Sequence, residues 1–447
     1  MPSTLARTLG LRDLILIVVG TVIGSGIFTV PGAVLRQTGG DVGVALFVWL
    51  LGGALSLVGA LTYGELGAML PEAGGGYVYI REAFGPLPAF LLGWTLFLVI
   101  GTGSMATLAV AFGNYLDQFV VLRPWQTKLA AVLMIATVGV VNVRGTRHST
   151  RVQGWSTALK VAAILFIGGA ALLLGHGLAA VRPRLFAAPL NLSLLLGVGS
   201  ATIGVLWAYE GWSNAAANAG EVIDPQRTFP RGMAAGTLAL VGIYLFANVG
   251  YLAALGPAGV AGTNRVAAEA TSTLFGPAAG RLIAAAILVS MFSATNGLIL
   301  TTSRVYYAMA RDGLFFRRLA EVHPRFGTPA LAIAAGCAWA MLLAVTGTFE
   351  ELFTFVIFAA WIFYALGVAS VLVLRRRRPA ATRPFRVPGY PITPWLFILA
   401  ATAIVGSTIH DRPARSGIGL GLILLGLPAY FWWRRSGSHQ PSAITRQ

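Results

Sequence analysis

The feature that most constrains this chain is the recurrence of long apolar stretches between residues 14 and 433. A stretch of about 20 apolar residues spans the hydrocarbon core of a bilayer. Only 11% of the residues are charged and 56% are hydrophobic. Soluble domains carry about 25% charged residues, so most of this chain belongs in lipid. Backbone groups in lipid must be satisfied internally, and the runs lack the alternation of a β-barrel strand, so the expected fold is all-α. Twelve spans are expected, at 14–35, 42–70, 88–112, 129–143, 157–175, 192–219, 234–255, 282–305, 329–346, 352–374, 394–409 and 417–433. The loops between them are too short for a soluble domain, and the polar tail at 436–447 is expected to be disordered.

Charge then orients the spans. Lys and Arg outnumber Asp and Glu by 32 to 15. In a soluble protein that excess would suggest nucleic acid, but here topology accounts for it. An even number of spans places both termini on one side. With that side cytoplasmic, Arg81, Arg144, Arg147, Arg151, Arg227, Arg231, Arg311, Arg317, Arg318, Arg325 and the Arg375–Arg378 run fall in inner loops. A smaller set, including Arg36, Arg123, Lys128, Arg182 and Arg265, falls outside, as the positive-inside rule requires. The Arg375–Arg378 run is read as part of that bias, with anionic lipid as a second reading. The first apolar run is too long for a cleavable signal. The one cysteine, Cys337, lies in an apolar span, which leaves no disulfide framework within the chain and no thiol metal site. The five histidines are isolated, so neither a metal nor another cofactor is expected.

Two spans are interrupted. The first contains Gly24-Ser25-Gly26 in mid-span, followed by Pro31-Gly32. Each Gly weakens a helix by about 1 kcal/mol relative to Ala. The stretch is either a seam of small residues for helix packing or an unwound segment whose N–H groups face a ligand. The sixth contains Trp207-Ala208-Tyr209-Glu210-Gly211-Trp212-Ser213-Asn214. This is either an interfacial aromatic belt or, given a carboxylate near mid-membrane, a functional break. Spans one and six run in opposite directions, so paired breaks there fit an inverted repeat and point to a midplane site. Half-helix N-termini attract an anion and freed carbonyls attract a cation. A ligand with a carboxylate and an ammonium on one carbon suits both.

Several blocks resemble the amino acid–polyamine–organocation superfamily. GTVIGSGIFTVP from Gly20 is similar to its first helix, and YGELGAMLPEAGGGYVY from Tyr63 to the end of its second helix and the following loop. LWAYEGWSNAAANAGEVIDPQRTFPRG from Leu206 resembles the sixth helix of the L-type amino acid transporter branch. SRVYYAMARDGLF from Ser303, TPA from Thr328 and FRVPGYPITP from Phe385 resemble later blocks, in the family's order. The resemblance implies a LeuT-like fold of twelve helices. Two inverted repeats, 14–175 and 192–374, would be followed by peripheral helices at 394–433. It also implies amino acid exchange or uptake; sodium-independent exchange of neutral amino acids in a plasma (inner) membrane is the favoured expectation, with a proton-coupled carrier or one for cationic amino acids or polyamines as the alternative.

Carried onto this chain, the resemblance gives the backbone of Gly24, Ser25 and Gly26 to the substrate carboxylate. The carbonyls of Val22, Ile23, Trp207 and Glu210 would take the ammonium, within a site that also includes Ala208, Tyr209 and Gly211. Trp207 stands where the family has an aromatic gate, and Trp361 where some members have a pocket aromatic. A leucine at Gly26 is expected to fill the approach path. Lys160 would snorkel to the inner surface or, as the family implies, place its ammonium where sodium-coupled relatives hold a cation, with Ser290 and Ser293 as partners. Buried there, it could also give up its proton and couple transport to protons. Glu65 and Arg304 are read as ion-pair or gate residues near the inner ends of their spans. Heavy-chain-linked animal members use a cysteine in the loop after helix three, and the loop at 113–127 has none, so no disulfide-linked subunit is expected. A channel would need more polar pore-lining residues, and an enzyme would need a nucleophile–base or metal constellation that the sequence lacks.

Overall fold

In the computed structural model, which describes residues 7–117 and 119–437, the chain is an all-helical bundle. The helices are α1 (Leu11–Val22), α2 (Gly26–Gln37), α3 (Val42–Met69), α4 (Gly76–Phe84), α5 (Pro86–Thr95), α6 (Gly101–Leu116), α7 (Pro124–Val143) and α8 (Thr146–Leu174). There follow α9 (Leu192–Ala208), α10 (Pro225–Ala261), α11 (Val266–Phe275), α12 (Pro277–Arg311), α13 (Ala330–Thr346), α14 (Phe349–Arg377), α15 (Ile392–Asp411), α16 (Pro413–Leu424) and α17 (Gly426–Gly437). A π turn at Leu96–Ile100 joins α5 to α6 into one span.

Among the described residues, nine helices or joined helices are long and apolar enough to cross a membrane, and ten if α1 and α2 count as one span bent by 49°. The expected sixth and ninth spans, α9 and α13, fall short of that length. For α9 the reason is local: the helix stops at Ala208, where the aromatic–acidic stretch begins. The short helices α4 and α11 sit between spans and carry no membrane-length signal in the sequence. The helix at the C-terminal end continues to Gly437, past the expected start of the tail at 436. The remainder of that tail lies outside the described residues.

The core is built around α1 and α12. The helices α8, α10 and α12 all pack against α1, and α12 also packs against α6 and α8. Small residues permit these close crossings. A Cβ at Gly236 would meet Val18 of α1 at 2.8 Å, and one at Gly250 would meet the Gly168 backbone at 2.6 Å. Without a hydrophobic force between helices in lipid, such backbone proximity is a main source of cohesion. The N-terminal segment closes one end: Thr8 and Leu9 donate N–H bonds of 2.8 and 2.9 Å to the Glu221 carbonyl.

Candidate functional site

The break in the first span leaves the last carbonyls of α1 and the first N–H groups of α2 without intrahelical partners, as at any helix end. In mid-bundle these must be answered by other side chains. The Lys160 ammonium donates to the carbonyls of Gly20 and Ile23, each at 2.6 Å. The Ser290 hydroxyl stands 3.0 Å from the Ile23 carbonyl and 3.2 Å from that of Gly24. Tyr244 donates its hydroxyl to the Ala208 carbonyl at 2.8 Å and lies 3.3 Å from the Val22 carbonyl, so it ties both breaks together. Lys160 is 1% exposed, which excludes snorkelling to the surface.

The second break follows α9. The chain turns through Tyr209–Ser213, with Gly211 at φ +111°, a conformation natural only to glycine, and resumes as a 3₁₀ helix at Asn214–Glu221. The two breaks touch directly: a Cβ on Gly26 would stand 2.5 Å from the Ala208 Cα. The expectation that a leucine at Gly26 would block an open approach is therefore corrected. That position faces the backbone of the other broken span, and any side chain there would drive the two apart. Gly24 differs, since the nearest atom to its Cβ would be the flexible end of Leu108 at 2.9 Å, with Ala294 Cβ at an ordinary 3.5 Å.

Between the breaks lies a cavity of about 310 Å³ lined by Thr21, Val22, Gly24, Ser25, Gly26, Ser104, Leu108, Trp207, Glu210 and Leu298. Three polar atoms on its lining residues, Thr21 Oγ1, Ser25 Oγ and Trp207 Nε1, are buried with no hydrogen-bond partner among the described residues. Buried polar groups are ordinarily paired, so three orphans around one cavity mark a place for a polar ligand. The Trp207 ring packs against Phe353 and Phe349 at centroid distances of 5.8 and 6.2 Å, covering the cavity from α14. The Glu210 carboxyl accepts the Tyr364 hydroxyl of α14 and has no ion-pair partner among the described residues.

Of the residues singled out from the sequence, Val22, Gly24, Ser25, Gly26, Trp207 and Glu210 line this cavity. Ala208 meets Gly26, and Gly211 forms the turn. The Ile23 carbonyl is already taken by Lys160 and Ser290. Tyr209 points away and packs on Trp49 and Tyr244. Trp361 does not line the cavity; it stacks on Phe397 of α15 at 5.5 Å. Ser293 bonds Ser156 at 2.8 Å, whereas Ser290 shares an acceptor with Lys160. Arg304 and Glu221 form a buried ion pair of 2.9 Å, and Glu65 holds Arg375 at 2.6 Å. Tyr244 and Tyr364 were not singled out from the sequence. Each lies in a span with no break or charge beside it, so no local signal marks either.

Two half-helix breaks closing on one small cavity inside a membrane bundle define a carrier. The amino acid permease family model matches residues 9–419, and the chain belongs to that family. It is 34% identical to the serine/threonine exchanger SteT of Bacillus subtilis (strain 168), over 96% of this chain and 98% of that one. It is 32% identical to the large neutral amino acids transporter small subunit 2 of Homo sapiens, over 99% of this chain and 83% of the relative. The human cystine/glutamate transporter is 33% identical over 93% of this chain and 83% of its own length. These relatives place the chain in the L-type branch of the superfamily. It is a multi-pass membrane transporter, not an enzyme.

Proposed function

We propose that this amino acid permease exchanges neutral L-amino acids by alternating access, without sodium. The observation that carries this reading is the cavity where the two breaks meet, with its unpartnered Thr21, Ser25 and Trp207 atoms. The N-terminal end of α2, at Gly24–Gly26, would hold the carboxylate. The carbonyls of Val22, Trp207 and Glu210 would take the ammonium, and Trp207 would gate the outer side. Exchange is supported by the similarity to a relative named as a serine/threonine exchanger.

Sodium independence is supported by Lys160, whose ammonium stands 2.6 Å from the Gly20 and Ile23 carbonyls. A sodium ion beside it would meet a like charge in a low-dielectric site. We read the bundle as twelve spans, with 14–175 and 192–374 as inverted repeats and 394–433 as peripheral helices. Both termini are then cytoplasmic in the plasma (inner) membrane. The chain works without a disulfide-linked subunit in this reading, because its single cysteine, Cys337, is buried.

Glu210 favours a second reading. A cavity carboxyl without an ionic partner among the described residues would suit a cationic amino acid. Counterflow in proteoliposomes loaded with unlabelled amino acid separates these. Labelled neutral amino acids should accumulate with or without sodium, with little change between two pH values. A sodium requirement would overturn the reading, and accumulation of arginine or lysine alone would favour the second.

A further inference from the structure

Near its start, α14 serves two cavities. Phe349 and Phe353, four residues apart on one face, pack against Trp207 over the central cavity. Leu352 and Phe355, three apart on another face, line a different cavity that shares no residue with the first. Its other walls are Leu98 and Val99 of the π turn, the end of α13, and Ile418 and Leu422 of α16. Ile418 is 57% exposed, so the cavity is open sideways, where the bundle meets hydrocarbon. Along α16 it runs from Arg415 to Leu422. That is about 10 Å of helix axis, and one leaflet of hydrocarbon is about 15 Å deep. At the deep end the Leu98 and Leu422 carbonyls accept the indole N–H groups of Trp339 and Trp94, at 3.0 and 3.1 Å. An apolar recess of this kind stays dry and is filled by apolar atoms.

The mouth is polar. Thr346, Glu351 and Arg415 line it from the last turn of α13 and the first turns of α14 and α16, all on the outer side in the topology proposed above. One carboxylate oxygen of Glu351 accepts the Thr348 hydroxyl at 2.7 Å and so caps α14; the other has no partner among the described residues. Arg412 is fastened to Thr354 at 2.8 Å, whereas Arg415 has neither a hydrogen bond nor an ion pair among the described residues. Arg415 is near enough to Glu351 for their charges to interact, yet the two do not meet. A positive and a negative group thus stand apart at the opening of an apolar trough.

We propose that this trough binds an outer-leaflet phospholipid with an ethanolamine headgroup, its acyl chain along Leu352, Phe355 and Ile418, its phosphate on Arg415 and its ammonium on the free oxygen of Glu351. A guanidinium fork matches a phosphate, and bonds between charged partners are the strong ones. The headgroup and the mouth each carry one positive and one negative charge. A choline headgroup offers Glu351 no N–H, and a glycerol headgroup sets a net anion against its carboxylate. Bound there, the lipid backs α14 on a face away from Trp207 and holds the cover over the central cavity. That second step rests on the transport reading; the binding site does not.

The test uses the full chain, purified in detergent and depleted of lipid. Dioleoyl phosphatidylethanolamine, phosphatidylcholine and phosphatidylglycerol are titrated separately, and the concentration giving half the maximal rise in Tm is read. For the ethanolamine lipid it should be about tenfold lower than for the other two, the scale of one hydrogen bond to a charged group. Arg415→Gln should raise it about tenfold, on the same scale. Glu351→Gln keeps an acceptor for the α14 cap and should erase the preference over the choline lipid. Glycerophosphoethanolamine, the headgroup without chains, should give no rise. Equal values for the three lipids, no change in Arg415→Gln, or a full response to the chainless headgroup would overturn the site. The cover is read with Ser104→Cys in the central cavity, after Cys337→Ala has removed the only cysteine. In right-side-out vesicles, a membrane-impermeant thiol reagent should label it severalfold more slowly in ethanolamine than in choline lipid. Arg415→Gln should abolish that difference, and equal rates in the parent would overturn the hold on α14. Absence of counterflow in every lipid would instead count against the transport reading, while the titrations would still decide the site.

Discussion

The Lys160 ammonium lies 2.6 Å from the Ile23 carbonyl, the residue immediately before the Gly24-Ser25-Gly26 break. The same ammonium reaches the Gly20 carbonyl at 2.6 Å, so one side chain of α8 answers two carbonyls that the end of α1 leaves open. The lysine is thereby a tether between the broken span and the bundle.

Removing that tether should be costly. In Lys160→Ala, the Gly20 carbonyl loses its side-chain donor and the Ile23 carbonyl keeps Ser290 alone as a side-chain donor among the described residues. A buried group left unsatisfied costs about 1–3 kcal/mol. Counterflow should fall about tenfold or more, which corresponds to only about 1.4 kcal/mol on the rate-limiting barrier. Wild-type turnover in purified Lys160→Ala would end the role given to this residue.

The two glycines of the first break should behave differently. A Cβ on Gly26 would stand 2.5 Å from the Ala208 Cα, so Gly26→Ala must separate two backbones and should destabilise the protein by about 1–3 kcal/mol. At Gly24 the nearest obstacle is the Leu108 methyl at 2.9 Å, which can turn aside into the cavity. Gly24→Ala should therefore fold near normally and bind amino acid more weakly. Thermal unfolding and ligand-induced thermal shift measured on both variants check the pair; equal loss of stability at the two sites would contradict the geometry.

Trp207→Ala should slow exchange more than it weakens the fold. The ring covers the central cavity and packs on Phe349 and Phe353, and its indole nitrogen has no hydrogen-bond partner among the described residues. With one face toward a cavity, its loss should cost less than the about 3–5 kcal/mol typical of Trp→Ala in a packed core. A variant that exchanges at the parent rate would remove the gating role.

Asp41 offers a pH test outside the membrane spans. Burial pushes its carboxyl up, but hydrogen bonds from the N–H groups of Ala188, Val44 and Phe186 outweigh that and hold it below its ordinary value. A lowered native value means its contribution is complete above the unfolded value and is lost as pH falls through the native one. Asp41→Ala should cost about 1 kcal/mol for the helix cap alone. The gap in unfolding temperature between parent and variant should stay constant at neutral and mildly acidic pH and narrow only below about 4. A gap that closed well above that range would contradict the lowered native value of Asp41.

The apolar runs and the two interruptions were readable because each is a local property; the expected count of twelve was not, since nine or ten membrane-length spans stand among the described residues. An apolar run needs no partner to declare itself, and neither does Gly-Ser-Gly in mid-span. The break residues Gly24, Ser25, Gly26, Trp207 and Glu210 follow from such signals together with the family blocks. Trp361 was drawn toward the cavity by that resemblance, yet its ring lies against Phe397 on α15, a helix whose placement no local pattern gives. The Arg375–Arg378 run looked like plain topology. In the folded chain, Arg375 holds Glu65 of α3, Arg377 the Ala83 carbonyl and Arg378 Glu82, so the run also cross-links three segments.

What local chemistry settles in this protein is therefore its solvent and its breaks: charge is too scarce for water, and glycine is too frequent in two spans for unbroken helices. What answers those breaks depends on which helices cross there. Lys160 meets Gly20 across 140 positions, Tyr244 meets Val22 across 222, and Ser290 meets Ile23 across 267. Contacts at such separations are set by the angles and small-residue seams at which helices pack, and neither is encoded in any single stretch. The freed carbonyls were foreseeable from the sequence, but the donors that reach them exist only once the bundle has closed.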